Sequence, residues 1–249
     1  MRWLLTALAL AVVLVAAHAA ETPRDAAAEL ARAKVVVLKS RQPQRFGRRG
    51  SAMAFMAAPG LALTAAHAMH PDRETTAWLN GAAYSTRALA MNRSLDVAVI
   101  RIGAGRLLLK PIPLAADSHT LALGEQLLIV TGPAQGTNAH GEPSRRRLLP
   151  AIYRGRRLQK TVTGKREYHL YLGAQVIPGD SGSPVVRVRD GKVVGILVSR
   201  TLPDDGGPSM TAYAAPIEWA FPLLKKARKS ARQATPDSEF YLLQPAAGR

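Results

Sequence analysis

Three short motifs of the chain carry side chains that could perform nucleophilic chemistry together. Ser181 lies in the glycine-flanked turn GDSGSP, His67 ends the motif LTAAH, and Asp96 lies in SLDVAVI. Serine is a poor nucleophile at neutral pH and needs a base, for which imidazole is suited because it titrates near neutrality. A carboxylate can hold the imidazole tautomer and stabilise the imidazolium. We therefore predict a nucleophile in Ser181, a base in His67 and an orienting carboxylate in Asp96.

The order His, Asp, Ser along the chain separates these motifs from those of subtilisins and α/β-hydrolases, which use other orders. From about Lys34 to Trp219 the chain resembles bacterial trypsin-like serine peptidases, near the HtrA-like and glutamyl endopeptidase branches. The resemblance implies an all-β chymotrypsin fold of two six-stranded antiparallel barrels, with the active site in the cleft between them and a C-terminal helix. It also implies hydrolysis of peptide bonds in polypeptide substrates.

The glycines of the serine turn predict where the reaction's negative charge would be held. Gly179 lets the backbone turn so that its N–H and that of Ser181 point at one spot, which predicts an oxyanion hole. Ser183 stands where glycine is commonest in the trypsin-like family, but glutamyl endopeptidases share this serine. In similar enzymes an aspartate beside the nucleophile often needs a cation. We expect Asp180 to be partly exposed or paired with an internal Arg or Lys, so that no zymogen cleavage is needed.

The specificity pocket is assigned by the resemblance to Gln175, Val176, Leu197 and Ser199. Trypsins carry an aspartate at the position of Gln175, and glutamyl endopeptidases carry a histidine at that of Leu197. Because neither charged side chain is present, we expect an apolar pocket and a small or medium apolar residue before the cleaved bond. An alignment shifted by one or two residues stays open.

Short apolar runs between turn residues recur along the chain without a long amphipathic helix among them, which favours barrels or a sandwich. Turns at 58–60 and at 80–81, an Asn-Gly pair, predict two hairpins. The peptidase domain is predicted over 34–232, which leaves no room for an accessory PDZ domain. Its parts and flanks are predicted as an N-terminal arm (20–33), barrel one (about 34–115), barrel two (about 121–215), a C-terminal helix (about 216–232) and a mobile tail (233–249).

The first residues are typical of an export signal. Arg2 precedes an uncharged stretch, Trp3 to Ala17, and Ala17-His18-Ala19 fits a small-x-small cleavage site. We predict a cleaved signal peptide at 1–19 and a periplasmic or secreted protein, with an uncleaved anchor as the alternative. No later stretch approaches the roughly 20 apolar residues of a membrane span, so none is expected after cleavage.

The chain is strongly basic, with 34 Lys and Arg against 17 Asp and Glu. Such a charge attracts anionic partners. Basic clusters at 145–147, 154–157 and 165–166 predict either docking to an anionic envelope surface or an ordinary solvated surface. No aromatic platform beyond Tyr153 is interleaved with them, so specific nucleic-acid binding is not expected.

The absence of cysteine excludes a thiol nucleophile and thiolate metal ligands. No further cluster of histidines and carboxylates stands out, so neither a metal nor an organic cofactor is expected. Two other function classes stay open: a catalytically silent chymotrypsin-fold binding module, and a basic envelope-surface adhesin. The presence of all three catalytic residue types argues against the first.

Overall fold

The computed structural model describes residues 35–40, 50–70, 74–79, 82–103, 109–132, 147–161, 163–200, 209–233 and 242–243. The predicted signal peptide, the N-terminal arm and the turn at 80–81 lie outside these residues. Most of the predicted tail and the first two residues of the 145–147 cluster lie outside them as well.

Barrel one is an antiparallel sheet in the order β5-β4-β1-β2-β3-β6, closed by pairing of β5 with β6. Long strand β5 makes this closure possible, because its first part pairs with β4 and its second part with β6. The strands are β1 (Val35–Ser40), β2 (Gly50–Ala58), β3 (Leu61–Ala65), β4 (Thr75–Leu79), β5 (Ala82–Asn92) and β6 (Val97–Ile102).

Barrel two is a second closed antiparallel sheet, in the order β7-β8-β9-β12-β11-β10, with β10 pairing back onto β7. Its strands are β7 (Gln126–Thr131), β8 (Arg147–Lys160), β9 (Arg166–Val176), β10 (Pro184–Arg187), β11 (Val193–Arg200) and β12 (Ser209–Pro216). The two closed six-stranded barrels confirm the predicted fold class.

Strands β2 and β3 of barrel one are buried on both faces because side chains alternate between two cores. Met56 and Ala62 point into the barrel, whereas Met53, Phe55 and Leu63 belong to a cluster that continues into barrel two. One hydrophobic core therefore runs from these two strands into barrel two.

Helix α1 (Ala220–Gln233) follows a 3-10 turn, Ile217–Trp219, after the last strand of barrel two. It buries Ala220, Leu224 and Ala227, whose spacing places them on one helical face. This face packs back against β5 and β6 of barrel one. Among the residues that the structure describes, no helix is long and apolar enough to cross a membrane.

Two regions differ in extent from the sequence-based expectation. The apolar runs Leu148 to Tyr153 and Tyr168 to Leu172 predict two short strands, but β8 and β9 are longer and pair as far as Lys160 with Arg166. Polar side chains in this part hide the strand pattern, although the backbone hydrogen bonds continue. Within the predicted mobile tail, Leu242–Leu243 forms a short strand, β13, that pairs with Tyr84 and Ala83 where β6 leaves the edge of β5 free.

Candidate active site

His67 and Asp96 meet because they flank the facing ends of neighbouring antiparallel strands. In β3 and β6 the last register pair joins Ala65 to Val97. His67 follows β3 in a short 3-10 turn, and Asp96 immediately precedes β6. The Ala66 N–H donates to the Asp96 carbonyl oxygen over 3.1 Å, which fixes the two segments side by side.

The carboxylate of Asp96 binds His67 at two points. Its Oδ1 accepts the His67 backbone N–H at 2.8 Å, and its Oδ2 lies 2.7 Å from the ring Nδ1. Asp96 is 8% exposed and has φ of 54°, a left-handed conformation that non-glycine residues rarely adopt. Asn92 supports this turn by accepting the Leu95 N–H on its Oδ1 at 3.1 Å. Backbone strain of this kind is found where a side chain must be aimed.

Two opposing effects set the pKa of His67. Partial burial of the ring lowers it, whereas the hydrogen bond and the negative charge of Asp96 raise it. The contributions of Asp96 prevail, so the pKa of His67 is raised above its ordinary value of 6.5. The His67 side chain remains 40% exposed, so the edge away from Asp96 is open to a reaction partner.

The turn that carries Ser181 belongs to barrel two but is docked onto barrel one. The Met53 N–H in β2 donates to the Ser181 carbonyl at 2.7 Å, and the Gly182 N–H donates to Leu197 in β11 at 2.7 Å. A methyl group added at Gly182 would lie 1.9 Å from the Met53 carbonyl oxygen, so only glycine permits this approach. The Thr64 hydroxyl, near the end of β3, donates to the same oxygen at 2.7 Å.

These contacts place the serine turn against Met53 in β2 and Thr64 in β3. Thr64 lies three residues before His67 in the sequence. Among the described residues no hydrogen bond joins the His67 ring to the Ser181 hydroxyl. Catalytic hydrogen bonds are often long in a ligand-free enzyme and shorten when substrate binds. The structure therefore brings His67 and Asp96 into contact and docks the Ser181 turn beside them.

The backbone of the serine turn leaves two donors uncommitted. Gly179 has φ of 100°, and the recorded hydrogen bonds of the turn use the N–H groups of Asp180, Gly182 and Ser183. Within the described part of the chain, the N–H groups of Gly179 and Ser181 donate to no other residue. Their role as an oxyanion hole stays a prediction that this arrangement permits.

Asp180, next to the nucleophile candidate, is buried at 3% exposure and is fully hydrogen-bonded. The Arg147 guanidinium and the Thr131 hydroxyl, at 2.5 Å, donate to its Oδ1. The Ile177 N–H donates to its Oδ2 at 2.9 Å. Of the two states expected from the sequence, the structure shows the pair with an internal arginine. Sequence reasoning did not identify Arg147 or Thr131 as partners, since no motif marks them.

The four predicted pocket residues fall into two groups. Val176 and Leu197 are each 2% exposed and lie in the core of barrel two. Gln175 and Ser199 are exposed. A bulge between Leu197 and Ser199 shifts the register of β11 against β12. A pocket lined by the apolar pair stays a prediction, and in this arrangement only the polar pair presents side chains to a ligand.

Three arginines of the predicted basic clusters have partners within the protein. Besides Arg147, the Arg156 guanidinium donates to Ser118 at 2.7 Å and to Glu218 at 3.2 Å. Arg157 lies 4.0 Å from the ring centroid of Tyr171, in a cation–π contact. Arg156 thus joins barrel two to the segments that flank it, and an anionic surface would have to displace the partners of all three arginines.

Replacing Gly182 with alanine should prevent docking of the serine turn. The added methyl group would clash with the Met53 carbonyl, and the φ of 87° would be strained as well. The matched control is Gly124→Ala, which has a φ of 81° and no atom within 4 Å of the new methyl group. We expect the control to cost about 1 kcal/mol and Gly182→Ala about 2 kcal/mol more, measured by chemical denaturation. Equal losses would contradict the docking contact.

Comparison with known proteins places the chain in a family. Residues 50–196 match the family model described as a trypsin-like peptidase domain. No curated protein matches the chain.

Among solved structures, the Rv3671c protease from M. tuberculosis in its active form superposes with a TM-score of 0.67 at 20% identity, covering 81% of this chain and 83% of that one. Its inactive form gives a TM-score of 0.62 at 18% identity, over 84% and 95% of the two chains. The HtrA-type protease AlgW, solved with a tripeptide, gives 0.65 at 18%, over 80% and 61%.

At these identities the solved structures establish a shared fold. The family model adds membership, because it covers more than half of the 249 residues and includes the turn of Ser181. The chain belongs to the trypsin-like peptidase family and is a serine endopeptidase of the chymotrypsin fold.

Proposed function

We propose that this endopeptidase cleaves polypeptides through an acyl-enzyme, with Ser181 as nucleophile, His67 as general base and Asp96 as the carboxylate that orients the base. The observation that carries this proposal is the double contact of Asp96 with the backbone N–H and the ring of His67, at 2.8 and 2.7 Å. Because Asp96 binds Nδ1, the other ring nitrogen, Nε2, is the atom available to the serine.

In the acylation step, the Ser181 hydroxyl oxygen attacks the carbonyl carbon of the scissile bond while Nε2 of His67 takes the hydroxyl proton. The carbonyl oxygen becomes negatively charged and is received by the N–H groups of Gly179 and Ser181. The imidazolium formed on His67 is stabilised by Asp96. It then gives its proton to the leaving amine as the C–N bond breaks.

In the deacylation step, water attacks the ester carbon as Nε2 of His67 removes one of its protons. The tetrahedral intermediate collapses, the Ser181 oxygen leaves as the proton returns to it, and the new carboxyl product is released. Each step uses the same base and the same oxyanion donors, so one geometry serves both halves of the reaction. Apart from the substrate amine and the attacking water, the chain's own side chains and N–H groups supply the proton acceptors and donors named.

The Asp180–Arg147 pair supports a further part of the proposal, namely that this enzyme needs no new N-terminal amine for activity. The Asp180 carboxylate and backbone both bind Ile177, which closes the turn holding Gly179. Arg147 faces Thr131 across β7 and β8, so barrel two itself supplies the cation. With its charge already paired, Asp180 can hold the turn in the uncleaved chain.

We also propose that the protein is exported, on the strength of Arg2, the uncharged stretch that follows it and the small residues around position 19. The exported form is expected to begin at Ala20. N-terminal sequencing of the protein from the producing cell's periplasm and medium tests this. A protein retained in the cytoplasm with residues 1–19 intact would contradict export.

Substitution of Ser181 by alanine should abolish peptide hydrolysis while the fold persists. Loss of the nucleophile is expected to lower turnover on the order of 10⁶-fold, as in other triads. The matched control is Ser183→Ala, in the same turn, because the buried Ser183 hydroxyl has no hydrogen-bond partner among the described residues. Near-normal turnover in the Ser181 variant, measured on a peptide library, would reject the assignment.

The rate should depend on pH through His67. The base acts when neutral, so kcat/KM should fall as pH drops through the raised pKa of His67, with a midpoint above 6.5. In Asp96→Asn the carboxylate that raises the pKa of His67 is gone and burial still lowers that pKa, so the midpoint of the pH profile should move below 6.5. Turnover should fall about 10⁴-fold in that variant. Asp190→Asn, outside the site, serves as control. An unshifted midpoint in Asp96→Asn would contradict the pairing.

Replacing Arg147 by methionine should leave the buried Asp180 charge unpaired. Breaking such a pair costs about 3 kcal/mol of unfolding free energy, and the loosened turn should lower kcat more than it raises KM. Arg166→Met removes an exposed cation as control.

A short extension ahead of Ala20 should leave activity unchanged. Activity that appears only when the extension is trimmed would contradict internal activation.

A further inference from the structure

The outward face of helix α1 carries an unpaired group of cations. Lys225, Lys226, Arg228 and Lys229 are all exposed, and α1 contains no acidic residue. Within the part of the chain that the structure describes, none of the four forms an ion pair. This separates them from Arg147 and Arg156, whose charges are paired with those of Asp180 and Glu218.

The arrangement of these cations is electrostatically unfavourable for the helix itself. Lys225 and Lys229 are four residues apart, and Lys225 and Arg228 are three apart, so like charges adjoin on one face. The helix dipole favours cations in the last turn, but these four lie in the middle of the 14-residue helix. A partner that brings negative charge to this face would remove the repulsion.

A groove beside the cations has an apolar side. Its volume is about 1120 Å³, and it runs between α1 and the segment that connects the barrels. Leu114, Phe221 and Leu224 line it together with the four cations. Leu224 and Ala227 are buried in the hydrophobic core and fix α1 in place. The helix side of the groove therefore has a fixed position.

The combination of an apolar lining with a cationic rim fits an amphiphile whose anionic head adjoins an apolar body. Phospholipids with a net negative charge have this form, with a phosphate group at the surface and acyl chains beside it. We propose that the α1 face, Lys225, Lys226, Arg228 and Lys229 with the adjoining groove, binds the surface of an anionic phospholipid membrane. Each cation at such a surface strengthens binding roughly fivefold.

Sedimentation of the full chain with vesicles tests the proposal. Vesicles rich in phosphatidylglycerol are compared with vesicles of phosphatidylcholine alone, at low and high salt. We expect binding to the anionic vesicles that salt weakens, and at least roughly tenfold weaker binding by the double variant Lys225→Glu with Lys229→Glu. The matched control is Lys165→Glu with Arg166→Glu, which changes the net charge equally at the exposed tip of the β8–β9 hairpin.

The proposal is supported if the α1 variant loses binding while the hairpin variant keeps it. Equal loss in both variants would show that overall charge is responsible and would overturn it. So would equal binding to neutral vesicles, or stronger retention by single-stranded DNA or an acidic peptide than by anionic vesicles. If Lys225→Glu with Lys229→Glu unfolds, Lys225→Gln with Lys229→Gln takes its place, judged against the same hairpin control. Peptide hydrolysis in solution is measured alongside and should not change.

Discussion

The approach of the Ser181 turn to the Met53 carbonyl is the contact on which the candidate site depends. Ser181, the proposed nucleophile, belongs to barrel two, whereas His67 and Asp96, the proposed base and its carboxylate, belong to barrel one. Neither barrel therefore holds all three proposed residues. Glycine at position 182 allows the backbones to meet, since a methyl group there would lie 1.9 Å from the Met53 oxygen. The hydrophobic core that continues from β2 and β3 into barrel two keeps the contact in place.

Around this contact the protein holds two nearly buried carboxylates in opposite ways. Asp96 is aimed outward at a histidine that can change its charge, and its strained backbone, with φ of 54°, places it there. Asp180 is turned inward to a permanent cation, Arg147, and to two further donors. The first arrangement suits a proton transfer and the second suits a fixed turn. Both depend on pairs of neighbouring strands, β3 with β6 and β7 with β8.

The motifs predicted His67 and Asp96 as partners. The structure brings them together because each adjoins an apolar strand and these strands pair. They predicted the serine turn from its glycines. Arg147 could not be predicted, because it lies 33 residues from Asp180 and its partner is set by the barrel. The bulge between Leu197 and Ser199 leaves no trace in the sequence pattern. The polar outer half of the β8–β9 hairpin lacks the alternation by which strands are found. Local pattern thus predicted the contact of His67 with Asp96, and tertiary pairing decided what supports the candidate site.

The most direct test of this account is a crystal structure of the protein after reaction with a peptide phosphonate. The account predicts phosphorus bonded to Oγ of Ser181, with one phosphoryl oxygen about 2.7–3.1 Å from the N–H groups of Gly179 and Ser181. Nε2 of His67 should lie within hydrogen-bond distance of the adduct, and Nδ1 should still bind Asp96. An adduct on another residue, or a phosphoryl oxygen directed away from those two N–H groups, would contradict it.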